Sequence, residues 1–205
     1  MHANRLKAAA ALLLSVFFTS CSDSPKVAGP AAKESQAASE PISGKTAFWE
    51  MYKSAHSWAA DRVPLKLESK SVPGVTIGEG KAAMWSATFG SPRLRQARVF
   101  SYSVIASKPD IYKGVVIGKA LPWAGPTSEA LAFEPSEFPI DSDAAYKTGS
   151  AQAAVWLKSH PDREVSFVLG NASRFTGPVW YVQWGDKKSG YGVLVDAKTG
   201  AVVKH

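Results

Sequence analysis

The clearest hydrophobic pattern runs from Pro178 to Val203. Val179, Tyr181 and Gln183 alternate with Trp180, Val182 and Trp184. A period of two carried by β-branched and aromatic residues predicts a strand. Gly185 to Gly190 is a polar turn cluster, and Tyr191 to Val195 predicts a second strand. Asp196-Ala197-Lys198-Thr199-Gly200 then turns the chain, because an aspartate accepts from backbone two residues on and glycine supplies positive φ. Ala201 to Val203 resumes pairing. So small a meander needs a further apolar layer, so a helix should cover one face.

Upstream, Phe48, Met51, Tyr52, Ala55, Trp58, Ala59 and Arg62 recur at helical spacing, with Thr46 as the expected N-cap and Pro64 as the stop. Pro64 to Val72 alternates Leu65 and Leu67 with charges and predicts a strand with one exposed face. Lys81 to Phe89, Ala97 to Ile105 and Tyr112 to Ile117 predict three more. Leu121 to Ile140 contains Pro122, Pro126, Pro135 and Pro139 and predicts a long connector pinned by Trp123 and Phe133. Connectors of this length are often functional. Asp141-Ser142-Asp143 predicts the start of a second helix with Ala144, Thr148, Ala151, Val155, Trp156 and Leu157 inward, ended by Pro161 and followed by a strand from Arg163 to Leu169.

At an offset of 80 residues, Trp85 to Val104 overlies Val165 to Trp184 without a gap, strand on strand and glycine turn on glycine turn. This favours a duplicated module. The alternative is one larger antiparallel sheet whose hairpins look alike. The expected fold class is α+β: two helix-plus-antiparallel-sheet halves, 45–120 and 141–205, joined by the Pro-rich segment 121–140 and packed as one globular unit.

Pro178-x-Trp180-x-Val182, a polar turn and then Val193-Leu194-Val195-Asp196-Ala197-x-Thr199-Gly200 resemble the C-terminal half of a PepSY-type domain. The resemblance implies a small cystatin-like helix-plus-sheet module of exported proteins, a class that includes propeptides of thermolysin-like metallopeptidases. It implies a non-catalytic protein that captures or modulates a secreted protein or peptidase. The chain carries no peptidase domain, so the partner would be a separate protein.

The N-terminus supplies an address. Arg5 and Lys7 precede an apolar run, Ala8 to Phe18, that is too short to span a bilayer. Phe18-Thr19-Ser20-Cys21 then resembles the lipobox of bacterial lipoproteins, with Phe18 in place of the usual leucine. That resemblance implies a lipid on Cys21 as the membrane attachment; ordinary secretion is the alternative. Ser22 implies outer-membrane retention facing the periplasm. Cys21 is the single cysteine among 205 residues, so no internal disulfide forms. Ser22 to Gly44 is poor in large apolar residues and is expected to be a disordered tether. Removing 1–20 takes Arg5 and Lys7 from 24 basic side chains and leaves 22 against 17 acidic, or +5. That excess is spread along the chain, without the clustered stripe nucleic-acid binding needs.

No His-Glu-x-x-His, Cys-x-x-Cys, Gly-x-Ser-x-Gly or Ser-x-x-Lys motif occurs, and His56, His160 and His205 lie far apart. Gly44-Lys45-Thr46 mimics the end of a phosphate loop but has Ser39 where glycine is required. Asp141-x-Asp143 opens like a calcium loop but has Tyr146 at the glycine position. Glu134, Glu137 and Asp141 are the one carboxylate group that acid–base chemistry could use. No cofactor, no metal and no enzymatic activity are expected. The expected function is that of a lipid-anchored envelope binding protein whose partner is an envelope protein or peptide. The physical mode would be strand addition at Tyr191 to Val195 or at Leu65 to Ser69. The alternative is a small apolar ligand held between helix and sheet by Trp58, Trp85, Trp156 or Trp180, with Tyr191 nearby.

Overall fold

The computed structural model describes residues 40–186 and 188–204. In chain order the elements are β1 Ile42–Ser43, α1 Gly44–Trp58, β2 Val63–Lys70, β3 Lys81–Ala82, β4 Met84–Ser91, β5 Gln96–Ser103, β6 Gly114–Pro122, a 3-10 turn Pro135–Glu137, α2 Ser142–Gln152, α3 Ala154–Ser159, β7 Val165–Gly170, β8 Val179–Trp184 and β9 Tyr191–Asp196. The fold is α+β. One seven-stranded sheet runs β6-β5-β4-β2-β7-β8-β9 with every pairing antiparallel, and β1 and β3 form a separate two-stranded pair.

Register sorts the side chains into two faces. Opposite residues share a face. Tyr102, Trp85 and Ser69 stand in one cross-strand row, and Phe100, Ala87, Leu67, Leu169, Trp180 and Val195 stand in the next. That face is apolar and carries both long helices. Phe48, Met51 and Ala55 of α1 are buried against it, with Phe48 5.9 Å from Phe89 and 5.0 Å from Phe138 between ring centroids.

The two helices start at one hub. Ser43, not Thr46, is the N-cap of α1, its hydroxyl oxygen accepting the Thr46 N–H at 3.4 Å. The second orphan donor set of α1 is met by residues almost a hundred positions away. The Gly44 N–H donates to Ser142 Oγ at 2.7 Å, and the Lys45 N–H donates to Asp141 Oδ1 at 2.8 Å. Asp141 also caps α2 through the Ser142 N–H at 2.6 Å, and the Ser142 hydroxyl donates to Gly80 O at 2.5 Å. One carboxylate therefore serves two helix N-termini, where the dipoles favour negative charge. Asp141→Ala is expected to lower stability by about 1–3 kcal/mol, read as the urea midpoint, with Asp141→Asn recovering part of it.

The predicted second helix breaks in two at Ala153 and buries a different face. Ser142, Ala145, Gly149 and Ala153 point inward, whereas Val155 is 85% exposed and Ala151 is exposed. Small residues win because α2 sits close to the sheet. A Cβ on Gly149 would lie 3.1 Å from the Trp184 ring and 3.3 Å from Val182 Cβ.

The halves repeat an order of elements, but not in the alignment that an offset of 80 residues makes. β2 is antiparallel to both β4 and β7, so β4 and β7 run parallel. From β4 the meander continues to one side, and from β7 it continues to the other. Both halves are covered on the same face, since Trp85 and Trp180 meet at 6.4 Å under Gly44. A half-turn about an axis normal to the sheet between β2 and β7 lays β2-β4-β5 on β7-β8-β9 with α1 and α2 on the same face. Laying β4-β5 on β7-β8 would put the covered face of one on the open face of the other. The 80-residue offset thus aligns strand periodicity and glycine turns, which any meander supplies, rather than the strands that the half-turn relates. Strand addition at Leu65 to Ser69 is also ruled out, because β2 is the central strand and both its edges are paired.

Candidate functional site

The second face of the sheet has no helix on it. Its cross-strand rows read Val99, Thr88, Lys66, Gly170, Val179, Asp196 and then Val116, Ser101, Ser86, Glu68, Val168, Tyr181, Leu194. Over one end of these rows the Pro-rich connector folds back as a strap. The Trp123 N–H donates to Arg95 O at 2.9 Å, and the Trp123 ring lies where Gly90 has no side chain, since a Cβ there would come within 2.7 Å of it. Farther along, Ser128 O accepts the Ser173 N–H at 2.8 Å, and the Leu131 N–H donates to Asn171 O at 3.0 Å. The strap then rounds the end of the sheet: the Phe133 N–H donates to Pro64 O at 3.1 Å, and Phe133 packs edge-on against Phe138 in the core at 5.8 Å.

Between strap, β7–β8 turn and sheet lies a cleft of about 790 Å³. Its floor is Lys66, Thr88, Val168, Gly170, Tyr181 and Leu194, and its walls include Pro122, Trp123, Ala130, Asn171 and Phe175. Volume and predominantly apolar lining with a few polar groups are those of a small-molecule site. Gly170 leaves room: a Cβ built there meets nothing within 4 Å.

The charges around the cleft are few. Glu68 lies between two lysines, 2.7 Å from Lys70 Nζ and 3.2 Å from Lys66 Nζ, and it accepts the Ser86 hydroxyl at 3.4 Å. Partial burial pushes its carboxyl upward, but the hydrogen bond from Lys70 and the field of Lys66 outweigh this and hold it below the ordinary glutamate value. A lowered folded pKa means stability that is present above the unfolded value and is lost as pH falls through the folded one. Glu68→Gln is therefore expected to lose less stability than the parent on acidification below about 4.5, measured by urea titration across that range. At the rim, Arg174 Nη1 meets Glu129 Oε2 at 2.7 Å, both well exposed.

The expected site residues lie elsewhere. Trp85 and Trp180 are 0% exposed, and their indole N–H groups donate to Ile42 O and Ile140 O at 3.0 and 2.9 Å. The space between helix and sheet is packed, so these two are core residues and do not line a ligand site. Trp58 is half-buried at the end of α1, 6.0 Å from Phe100 with the Arg98 guanidinium 5.3 Å from its ring. Trp156 stacks on His160 at 4.1 Å and lies 5.7 Å from Tyr191, so these aromatics gather beside α3, apart from Trp58. The carboxylates of the connector have structural partners: Glu137 accepts the Glu134 N–H at 2.6 Å within a capping box, and Asp141 caps the helices. β9 is an edge strand, but part of its edge is taken by the C-terminal segment, with the Val203 N–H donating to Leu194 O at 2.9 Å and the Asp196 N–H donating to Ala201 O at 2.8 Å. Cys21 and the tether lie outside the described residues, apart from 40–44.

Sequence had marked the connector as long and Trp123 as its pin, but not the sheet face it covers. Lys66, Val168, Gly170, Tyr181 and Leu194 were readable as one face only once the strand order was known. Among the described residues, no group of three or more His, Cys, Asp or Glu could hold a metal, and no helix is long and apolar enough to cross a membrane.

No family model and no curated protein matches the chain. A solved Clostridium difficile 630 structure, described as that of a candidate lipoprotein, aligns over 77% of this chain and 90% of its own at a TM-score of 0.49 and 11% identity. A likeness of that strength carries no inference about function.

Proposed function

We propose that this is a non-catalytic, PepSY-like binding protein of the bacterial cell envelope, lipid-anchored through Cys21 to the outer membrane, and that its ligand site is the cleft on the helix-free face. The observation that carries the reading is the cleft itself. A Pro-rich connector is clamped at Trp123 and again at Ser128 and Leu131, so that it stands over an otherwise open sheet.

Gly170→Val tests this. The position is in a strand and open above, so valine fits the backbone and fills the floor. The variant is expected to keep its urea midpoint within about 0.5 kcal/mol. It should lose at least ten-fold in affinity for apolar ligands that quench Trp123. Unchanged binding in a folded variant would refute the cleft as the site.

A second reading keeps an extended peptide as partner. β6 pairs with β5 on one side and with no other strand on the other among the described residues, and Val116, Ile117 and Leu121 on it are exposed. This is the edge that strand addition would use, in place of the β2 edge expected from sequence. A charge at this edge, Ile117→Lys, is expected to abolish such peptide capture while leaving cleft binding intact.

A further inference from the structure

We infer that the cleft takes an anionic single-chain amphiphile, with its carboxylate or phosphate on Lys66 and its apolar chain over Val168, Tyr181 and Leu194. The inference rests on the reading of the cleft as the ligand site and adds the class of ligand.

Lys66 is the one charged side chain among the floor residues. The rim pair Arg174–Glu129 is already neutralised within itself. On the floor the balance is uneven, because Lys66 and Lys70 share the single carboxylate of Glu68. Lys70 is the closer partner at 2.7 Å, and Lys66 the looser at 3.2 Å. Lys66 can therefore turn to a second anion without leaving Glu68 unpaired. The lysine end of this looser pair is 44% exposed and Glu68 keeps Lys70, so releasing Lys66 costs little. In register Lys66 stands directly opposite Gly170, over which there is open space. A headgroup has room beside the ammonium. In the next row Val168, Tyr181 and Leu194 run away from Glu68 and are apolar apart from the Tyr181 hydroxyl, which is engaged with Gln183 Oε1. One cation at the end of an apolar trough complements an acyl anion, whereas a neutral lipid would leave Lys66 unused and a cationic one would be repelled.

Isothermal titration of the full chain with four ligands of equal chain length decides it: dodecanoate, dodecyl phosphate, dodecanol and dodecylamine, each below its micelle concentration. The two anions are expected to bind at least ten-fold more tightly than dodecanol, and dodecylamine more weakly than dodecanol. Comparing dodecanoate with dodecyl phosphate then separates a free fatty acid from a phospholipid-type headgroup as the source. Lys66→Met should bring the anions to within about two-fold of dodecanol measured on the same variant. Equal binding of acid and alcohol by the parent, or an acid preference that survives Lys66→Met, would overturn the ligand class and leave the cleft standing. Absence of binding by all four would overturn the cleft reading as well.

Discussion

Trp180→Ala is expected to cost about 3–5 kcal/mol of stability, the range for removing a large aromatic from a packed core. The indole is fully buried, its N–H is bonded to Ile140 O, and its ring edge lies against Trp85 and under the first residue of α1. Gly44 is in contact there: a Cβ on it would lie 2.8 Å from the Trp180 ring. Truncation leaves a void below the helix start and strands a carbonyl in the connector. Chemical denaturation gives the number. Trp180 was a candidate ligand-stacking residue on sequence grounds, and that role makes the opposite forecast, namely near-normal stability with lost binding. Gly170→Val should show that second profile, so the two variants together separate core from cleft.

Gly80→Ala should cost about 3 kcal/mol or more, the sum of overpacking against backbone and a left-handed φ. The loop carrying Gly80 is pressed onto the start of α2, and an added Cβ would lie 2.3 Å from Asp143 Cα and 2.4 Å from Asp143 N. These neighbours are backbone and cannot swing aside. Gly80 also has φ of 80°, a region that disfavours alanine. Relief requires α2 to retreat, which breaks the Ser142 bonds to Gly80 O and the Gly44 N–H and uncaps α1. Gly74→Ala is the control. Its φ is 76°, yet nothing lies within 4 Å of the added Cβ. It should show conformational strain alone, about 1 kcal/mol. A cost for Gly80→Ala no larger than that of Gly74→Ala would mean the contact with α2 is not tight.

Much of the fold was legible in the chain because period-two alternation is a local signal. The meander from Val179 onward, the strands at Lys81 and Ala97 and the aromatic stripe of α1 all follow from it. The inner face of α2 was not legible. A search for large apolar residues selects Val155, whereas close packing selected Ala145, Gly149 and Ala153. Strand order was not legible either, because nothing local distinguishes a central β2 from an edge. Nor was the cleft. Lys66 and Glu68 look like any solvated strand face until a connector some 60 residues later in the chain is seen to cross over it. The tryptophans misled for a related reason. Trp85 and Trp180 were candidates for holding an apolar ligand, but they fill the space under two helices.

Chemical-shift mapping of the backbone amides and indole N–H groups during titration with dodecanoate tests the central claim most directly. The account predicts shifts gathered on Lys66, Thr88, Val168, Gly170, Tyr181, Leu194 and the Trp123 indole, with the Trp85 and Trp180 indoles still. Shifts centred instead on Trp58 or on the Trp156–Tyr191 cluster, or scattered over the surface, would contradict it.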